Sequence, residues 1–168
     1  PSNLLINNKG DVKIADFGIS RQVGGTEAKA NTFLGTQLYM SPERLNCKEY
    51  KLNCDVWSVG LVAYECALGK FPFIEELRKM NILGVKDFVY DGKLFNFPNT
   101  FSKEFKSFLM CSLQLEPEKR SQASILLDHP FIKQSEKVSK EYFKEWLSTV
   151  TEKANKKRTK INSEKGKK

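Results

Sequence analysis

Apolar and polar positions in the first sixteen residues form two short apolar runs, Leu4-Leu5-Ile6 and Val12-Lys13-Ile14-Ala15, split by Asn7-Asn8-Lys9-Gly10-Asp11. Asn and Gly in so short a break favour a tight turn, so the pattern predicts a small β-hairpin. After Asp16-Phe17-Gly18 the regularity stops. The stretch 19–40 is rich in Gly, Thr, Ala, Asn and Gln and sustains no period. A segment of that length without a period, inside a compact domain, is expected to be a functional loop.

The pattern then becomes helical. Ser41-Pro42-Glu43 is a good helix start, with proline at the first helical position and an acid behind it. Residues 54–68 are apolar almost all round and end at Gly69, the residue type suited to the position just past a helix. A helix apolar on every side belongs at the centre of a helical domain. Further helical segments are predicted at 75–84, at 102–115 (apolar at Phe105, Phe108, Leu109 and Leu113), at 120–128 and at 138–150. Proline-bearing stretches around Pro72, Pro98 and Pro117 mark breaks between them. No internal repeat is present. The layout is a small β element followed by helices packed on one buried helix.

Charge changes the picture at one end only. The net charge of the 168 residues is +8, but residues 151–168 hold eight Lys or Arg and two Glu, a net of +6. The preceding 150 residues therefore carry +2. With Ala154 and Ile161 as its only apolar side chains, this tail is expected to be solvated and disordered. An anionic partner surface or a nuclear-import signal within Lys156-Lys157-Arg158-Thr159-Lys160 are the other readings. The four cysteines lack a C-x-x-C spacing and the single histidine is His129, which argues against a Cys/His zinc site. Cys66 and Cys111 have apolar sequence neighbours and are expected to be buried, and a reducing compartment is implied. The longest largely apolar stretch, 14 residues from Val56, is too short to span a bilayer. No signal peptide is visible.

Asn3, the Asp16-Phe17-Gly18 triplet, Gly35-Thr36, the run from Tyr39 to Arg44, the run from Asp55 to Gly60, and Arg120 resemble, in order and spacing, the second half of a protein kinase. The resemblance implies a mainly α fold, the kinase C-lobe, over residues 1–150, with 19–40 as activation segment and 151–168 as basic tail. It implies ATP and Mg2+ as cofactors. Asp16 and Asn3 would give oxygens to the metals that accompany the nucleotide phosphates, a role suited to hard cations. Phe17 would pack to orient Asp16, and Gly18 would supply backbone freedom. Thr36 would help place the acceptor hydroxyl. Glu43 and Arg120 would form the buried ion pair that anchors the activation segment. Asp55 would hold the catalytic-loop backbone, and Trp57 would be core.

The run from Lys29 to Leu45, with Ser41 where most kinases have Ala, is most similar to the dual-specificity MAP kinase kinase group. In that group two Ser or Thr residues four apart are phosphorylated by an upstream kinase. Thr32 matches the second position, whereas the first falls on Ala28, leaving Thr26 as the nearest candidate. The resemblance implies transfer of the γ-phosphate to Ser/Thr, and to Tyr, of a MAP kinase. It implies an upstream MAP kinase kinase kinase that docks through 135–150, where Tyr142, Phe143, Trp146, Leu147 and Val150 form a helix-spaced apolar face. Packing of that face against the rest of the domain is the plainer reading. Cytoplasmic or nuclear residence is expected, with no membrane and no nucleic-acid partner.

The 168 residues contain no G-x-G-x-x-G among ten glycines, no V-A-I-K, and no H-R-D, because the histidine is at 129. By the family pattern the catalytic Asp would precede Pro1, so the chain is expected to be a catalytically incomplete part of an active kinase. The alternative is a standalone, non-catalytic C-lobe that serves as a protein-binding module.

Overall fold

The computed structural model describes residues 1–16 and 38–165, which divide into two compact units, each described by itself below. The first holds the hairpin and the C-terminal helix, and the second holds the helices up to Lys133.

In the first unit, β1 (Leu4–Ile6) pairs antiparallel with β2 (Val12–Ile14) in the register Leu4 to Ile14, Leu5 to Lys13 and Ile6 to Val12. The turn between them is closed by a side chain. Asn7 Oδ1 accepts the N–H groups of Lys9 and Asp11, both at 2.9 Å, and Gly10 takes a left-handed conformation at φ +78°. Glycine is required there twice over: a Cβ at this position would stand 2.9 Å from Cδ1 of Phe143.

The second unit is built round one helix. In chain order its described residues form α1 (Pro42–Leu45), α2 (Cys54–Leu68), α3 (Ile74–Leu77), α4 (Ile82–Tyr90), a 3-10 turn at Lys93–Phe95, α5 (Lys103–Ser112) and α6 (Ala123–Leu126). Helix α7 (Pro130–Ser135) follows. Helix α2 keeps the expected bounds and ends at Gly69 with φ +71°. It buries Val56, Trp57, Leu61 and Tyr64, whereas Val59 is 51% exposed, so the helix is buried on one side and not all round. At Gly60 it lets α5 approach closely, because a Cβ there would meet Cβ of Ser112 at 2.8 Å and Cδ2 of Leu113 at 2.9 Å. Aromatic rings continue the core outward in edge or tilted contacts, from Tyr64 through Phe101 and Phe105 to Phe131, with centroids 4.8–5.7 Å apart. Ser102 caps α5 by accepting the Phe105 N–H at 3.1 Å.

Three expectations need revision. The segment 75–84 is not one helix but α3 and the start of α4. Asn81 turns extended and accepts the Gly84 N–H at 2.9 Å, so its side chain caps a new helix where a continuous one was expected. The tail is not irregular: α8 (Lys140–Lys165) runs on through most of it. Lys, Arg and Glu combine good helix propensity with resistance to burial, so this stretch can be helical and solvated at once. Among the cysteines, Cys66 is exposed and Cys111 half-buried, while Cys54 is the buried one. Apolar neighbours along a helix are not neighbours in space, and the thiol of Cys66 points away from the face that Leu61 and Tyr64 bury.

Candidate functional site

The open end of the hairpin carries two of the expected site residues. The carbonyl of Asn3 accepts the N–H of Ala15 at 2.8 Å, which continues the ladder one step beyond Leu4 and Ile14. Asp16 follows directly and turns the chain sharply at φ 62°, a left-handed conformation that Asp tolerates better than most residues. Both side chains are exposed. Among the described residues, the Asn3 amide oxygen accepts a 3.4 Å hydrogen bond from the hydroxyl of Ser2. An amide oxygen and a carboxylate at one end of one hairpin are a hard, oxygen-only donor set, the kind that suits magnesium. Among the described residues no group of three or more His, Cys, Asp or Glu could hold a metal.

The same hairpin presents Leu4, Ile6, Val12 and Ile14 on one face, since the register and the two-residue alternation put them together. Their exposure lies between 37% and 65%. These four aliphatics form a contiguous exposed apolar patch on the hairpin.

In the helical unit, Glu43 and Arg120 meet as a bidentate pair. Nη1 of Arg120 donates to Oε1 of Glu43 at 2.7 Å, and Nη2 donates to Oε2 at 2.9 Å. Their side chains are 0% and 4% exposed for Arg120 and Glu43 respectively. Arg120 also donates to the carbonyls of Gln114 and Asn53, and its guanidinium lies 5.3 Å from the centroid of the Trp57 ring. Burial is the largest single influence and pushes the Glu43 carboxyl up, but the hydrogen bonds from Arg120, those from the backbone and Ser41, and the Arg120 charge together outweigh it and hold the group below its ordinary value.

A second tether lies four residues earlier. The Tyr39 hydroxyl donates to Oε2 of Glu65, its carbonyl accepts from the Ser58 hydroxyl at 2.8 Å, and its ring stands edge-on to Phe71 at 5.0 Å. Burial first, and then Glu65, raise the Tyr39 hydroxyl well above its ordinary value. The sequence reading gave Tyr39, Ser58 and Glu65 no role. Their separation of up to 26 residues leaves no local pattern to find.

Tyr39 and Glu43 thus fasten the end of the 19–40 segment to α2 and to the loop that carries Arg120. Asp55 sits exposed in the first turn of α2. Phe17, Gly18, Thr26, Thr32 and Thr36 lie outside the described residues.

The protein kinase domain family matches residues 1–132. The chain belongs to the protein kinase family. Within it, the chain is similar to MAP kinase kinases. It is 45% identical over 141 residues to mitogen-activated protein kinase kinase 1 of Arabidopsis thaliana, covering 81% of this chain and 40% of that protein. It is 43% identical over 136 residues to mitogen-activated protein kinase kinase 1c of Physcomitrium patens, covering 79% of this chain and 39% of that protein. The dual specificity mitogen-activated protein kinase kinase dSOR1 of Drosophila melanogaster is 35% identical over 161 residues, covering 81% of this chain and 40% of that protein. The chain thus spans about 40% of the length of these curated relatives. Among the described residues, mainly helical structure with a small two-stranded hairpin accords with a kinase C-lobe.

Proposed function

We propose that this chain is the metal-binding and activation-segment part of a MAP kinase kinase-like enzyme, which transfers the γ-phosphate of ATP to Ser/Thr and to Tyr of a MAP kinase. The observation that carries the reading is the hairpin end, where Asn3 and Asp16 sit one ladder step apart within a kinase-family match. Phosphoryl transfer needs positioning and neutralisation of charge more than covalent chemistry by the protein. Bound Mg2+-ATP supplies the phosphoryl group and the neutralising charge. Asn3 and Asp16 would orient that charge through their side-chain oxygens. Thr36 would place the acceptor hydroxyl. The Glu43–Arg120 pair would anchor the activation segment, 19–40, to the helical core.

The regulatory reading rests on the same resemblance. Thr32, with Thr26 as a second candidate, would accept phosphate from an upstream MAP kinase kinase kinase that docks through residues 135–150. The exposed apolar hairpin face suits cover by further kinase chain, and the 168 residues alone, which hold no H-R-D, are expected to transfer no phosphate.

The test is Asp16→Asn in the protein extended to a whole kinase domain. It should abolish magnesium-dependent transfer to a MAP kinase and weaken Mn2+ binding read by electron paramagnetic resonance. Undiminished transfer with unchanged Mn2+ binding would remove Asp16 from the metal site. Transfer to generic substrates but to no MAP kinase would overturn the group assignment alone.

A further inference from the structure

Helix α8 carries a face that phosphoryl transfer does not use. Tyr142, Trp146 and Val150, four residues apart, are 65%, 50% and 41% exposed. Phe143 and Leu147, one position round, are half-buried, and Phe143 lies against the hairpin turn at Gly10. At 3.6 residues per turn the exposed stripe does not end at Val150. Lys153 and Lys156 fall with Tyr142, Trp146 and Val150 in one arc of about 120°. Lys153 and Lys156 are exposed. The two acidic residues within this span, Glu145 and Glu152, fall outside the arc.

The result is a straight line about 21 Å long, aromatic at one end and cationic at the other. We propose that this face of α8 binds an anionic lipid surface, lying flat against it. Amphipathic rings such as those of Tyr and Trp favour the headgroup boundary, and clustered Lys on a helix are attracted to acidic headgroups. A bilayer offers both in one plane, apolar depth and diffuse negative charge. A concave protein groove would select apolar anchors along the whole helix, and none lies in this arc beyond Val150. The helix binds the surface without crossing it, since among the described residues no helix is long and apolar enough to span a membrane. The sequence alone suggested no membrane partner, because the alignment of rings and lysines exists only once α8 runs unbroken through residue 150. Docking of an upstream kinase at 135–150 would use the same rings, so the two would compete.

The experiment is co-sedimentation of the 168-residue chain with phosphatidylcholine vesicles containing about 30% phosphatidylserine, against pure phosphatidylcholine vesicles. The chain should pellet with the acidic vesicles only, and less so as salt rises. Trp57 is fully buried, so a blue shift in emission on adding lipid reports Trp146. Lys153→Glu with Lys156→Glu should weaken partitioning at least tenfold, at about fivefold per cation lost. Tyr142→Ala with Trp146→Ala should remove the blue shift and most of the binding. All four positions are exposed, and circular dichroism checks that helicity is kept. No binding, or equal binding to neutral and acidic vesicles, would overturn the proposal. So would acidic-vesicle binding that polyglutamate displaces and that the ring substitutions leave untouched, which would point to an acidic protein surface instead.

Discussion

The Glu43–Arg120 pair in the helical unit and the Asp11–Lys140 pair in the hairpin unit close at nearly the same distance, 2.7 and 2.8 Å. Both join residues far apart in the chain. In the first, the side chains are 0% and 4% exposed; in the second, Lys140 is 59% and Asp11 44% exposed. Around Glu43 and Arg120 there are backbone carbonyls and an indole ring, and water is shut out. Around Asp11 and Lys140 water competes for every bond. Hydrogen bonds from Lys140 and then Asn7 draw the Asp11 carboxyl below its ordinary value, and Asp11 raises the Lys140 ammonium. Distance alone would rank the two pairs as equals. Burial separates them, because removing one partner of a buried pair leaves a charge that nothing solvates, whereas an exposed charge returns to water.

The largest expected effect follows from that. Arg120→Met should destabilise the helical unit by about 3–5 kcal/mol, read as a lower urea midpoint, since Glu43 stays buried and unpaired. Replacing Glu43 as well should return a good part of the loss. Next comes Gly60→Ala, which pushes a methyl into Ser112 and Leu113 at under 3 Å. Overpacking of this kind costs about 1–3 kcal/mol, and thermal unfolding would register it.

A smaller effect is set by pH. The folded Glu43 carboxyl is held below its unfolded value of about 4.3. A depressed acid stabilises above its unfolded pKa, and the contribution is lost as pH falls through the folded one. Stability should therefore drop more steeply below about pH 4 in the wild-type chain than in the Glu43→Gln variant. A parallel pair of pH profiles would show that Glu43 does not sense its partner. The smallest effect is Lys140→Ala, which should leave the unfolding midpoint unmoved and lose any remaining influence at high salt.

Particular residues show why parts of this were legible in sequence and parts were not. The bounds of α2 could be read because unbroken apolarity from Cys54 and a glycine at its end are local facts. The hairpin could be read from Asn7 and Gly10 for the same reason. The cap at Asn81 could not, since whether an Asn side chain turns back to the N–H three residues on depends on how α3 and α4 pack. The helical tail was missed because the residues that keep a chain from forming a core, Lys and Glu above all, also favour helix. Glu43 and Arg120 were paired through the kinase resemblance, and 77 residues of separation would have hidden them otherwise. Tyr39 and Glu65 had no such guide. Of the site residues, Asn3 and Asp16 fall at one hairpin end as expected, whereas the roles of Thr32 and Thr36 rest on motif likeness.

The most direct measurement is a pair of double-mutant cycles in urea, one on Glu43 and Arg120 and one on Asp11 and Lys140. Burial as the deciding factor predicts a coupling of about 2 kcal/mol or more for the first pair and none above error for the second. Equal couplings, or additive effects at Glu43 and Arg120, would contradict it.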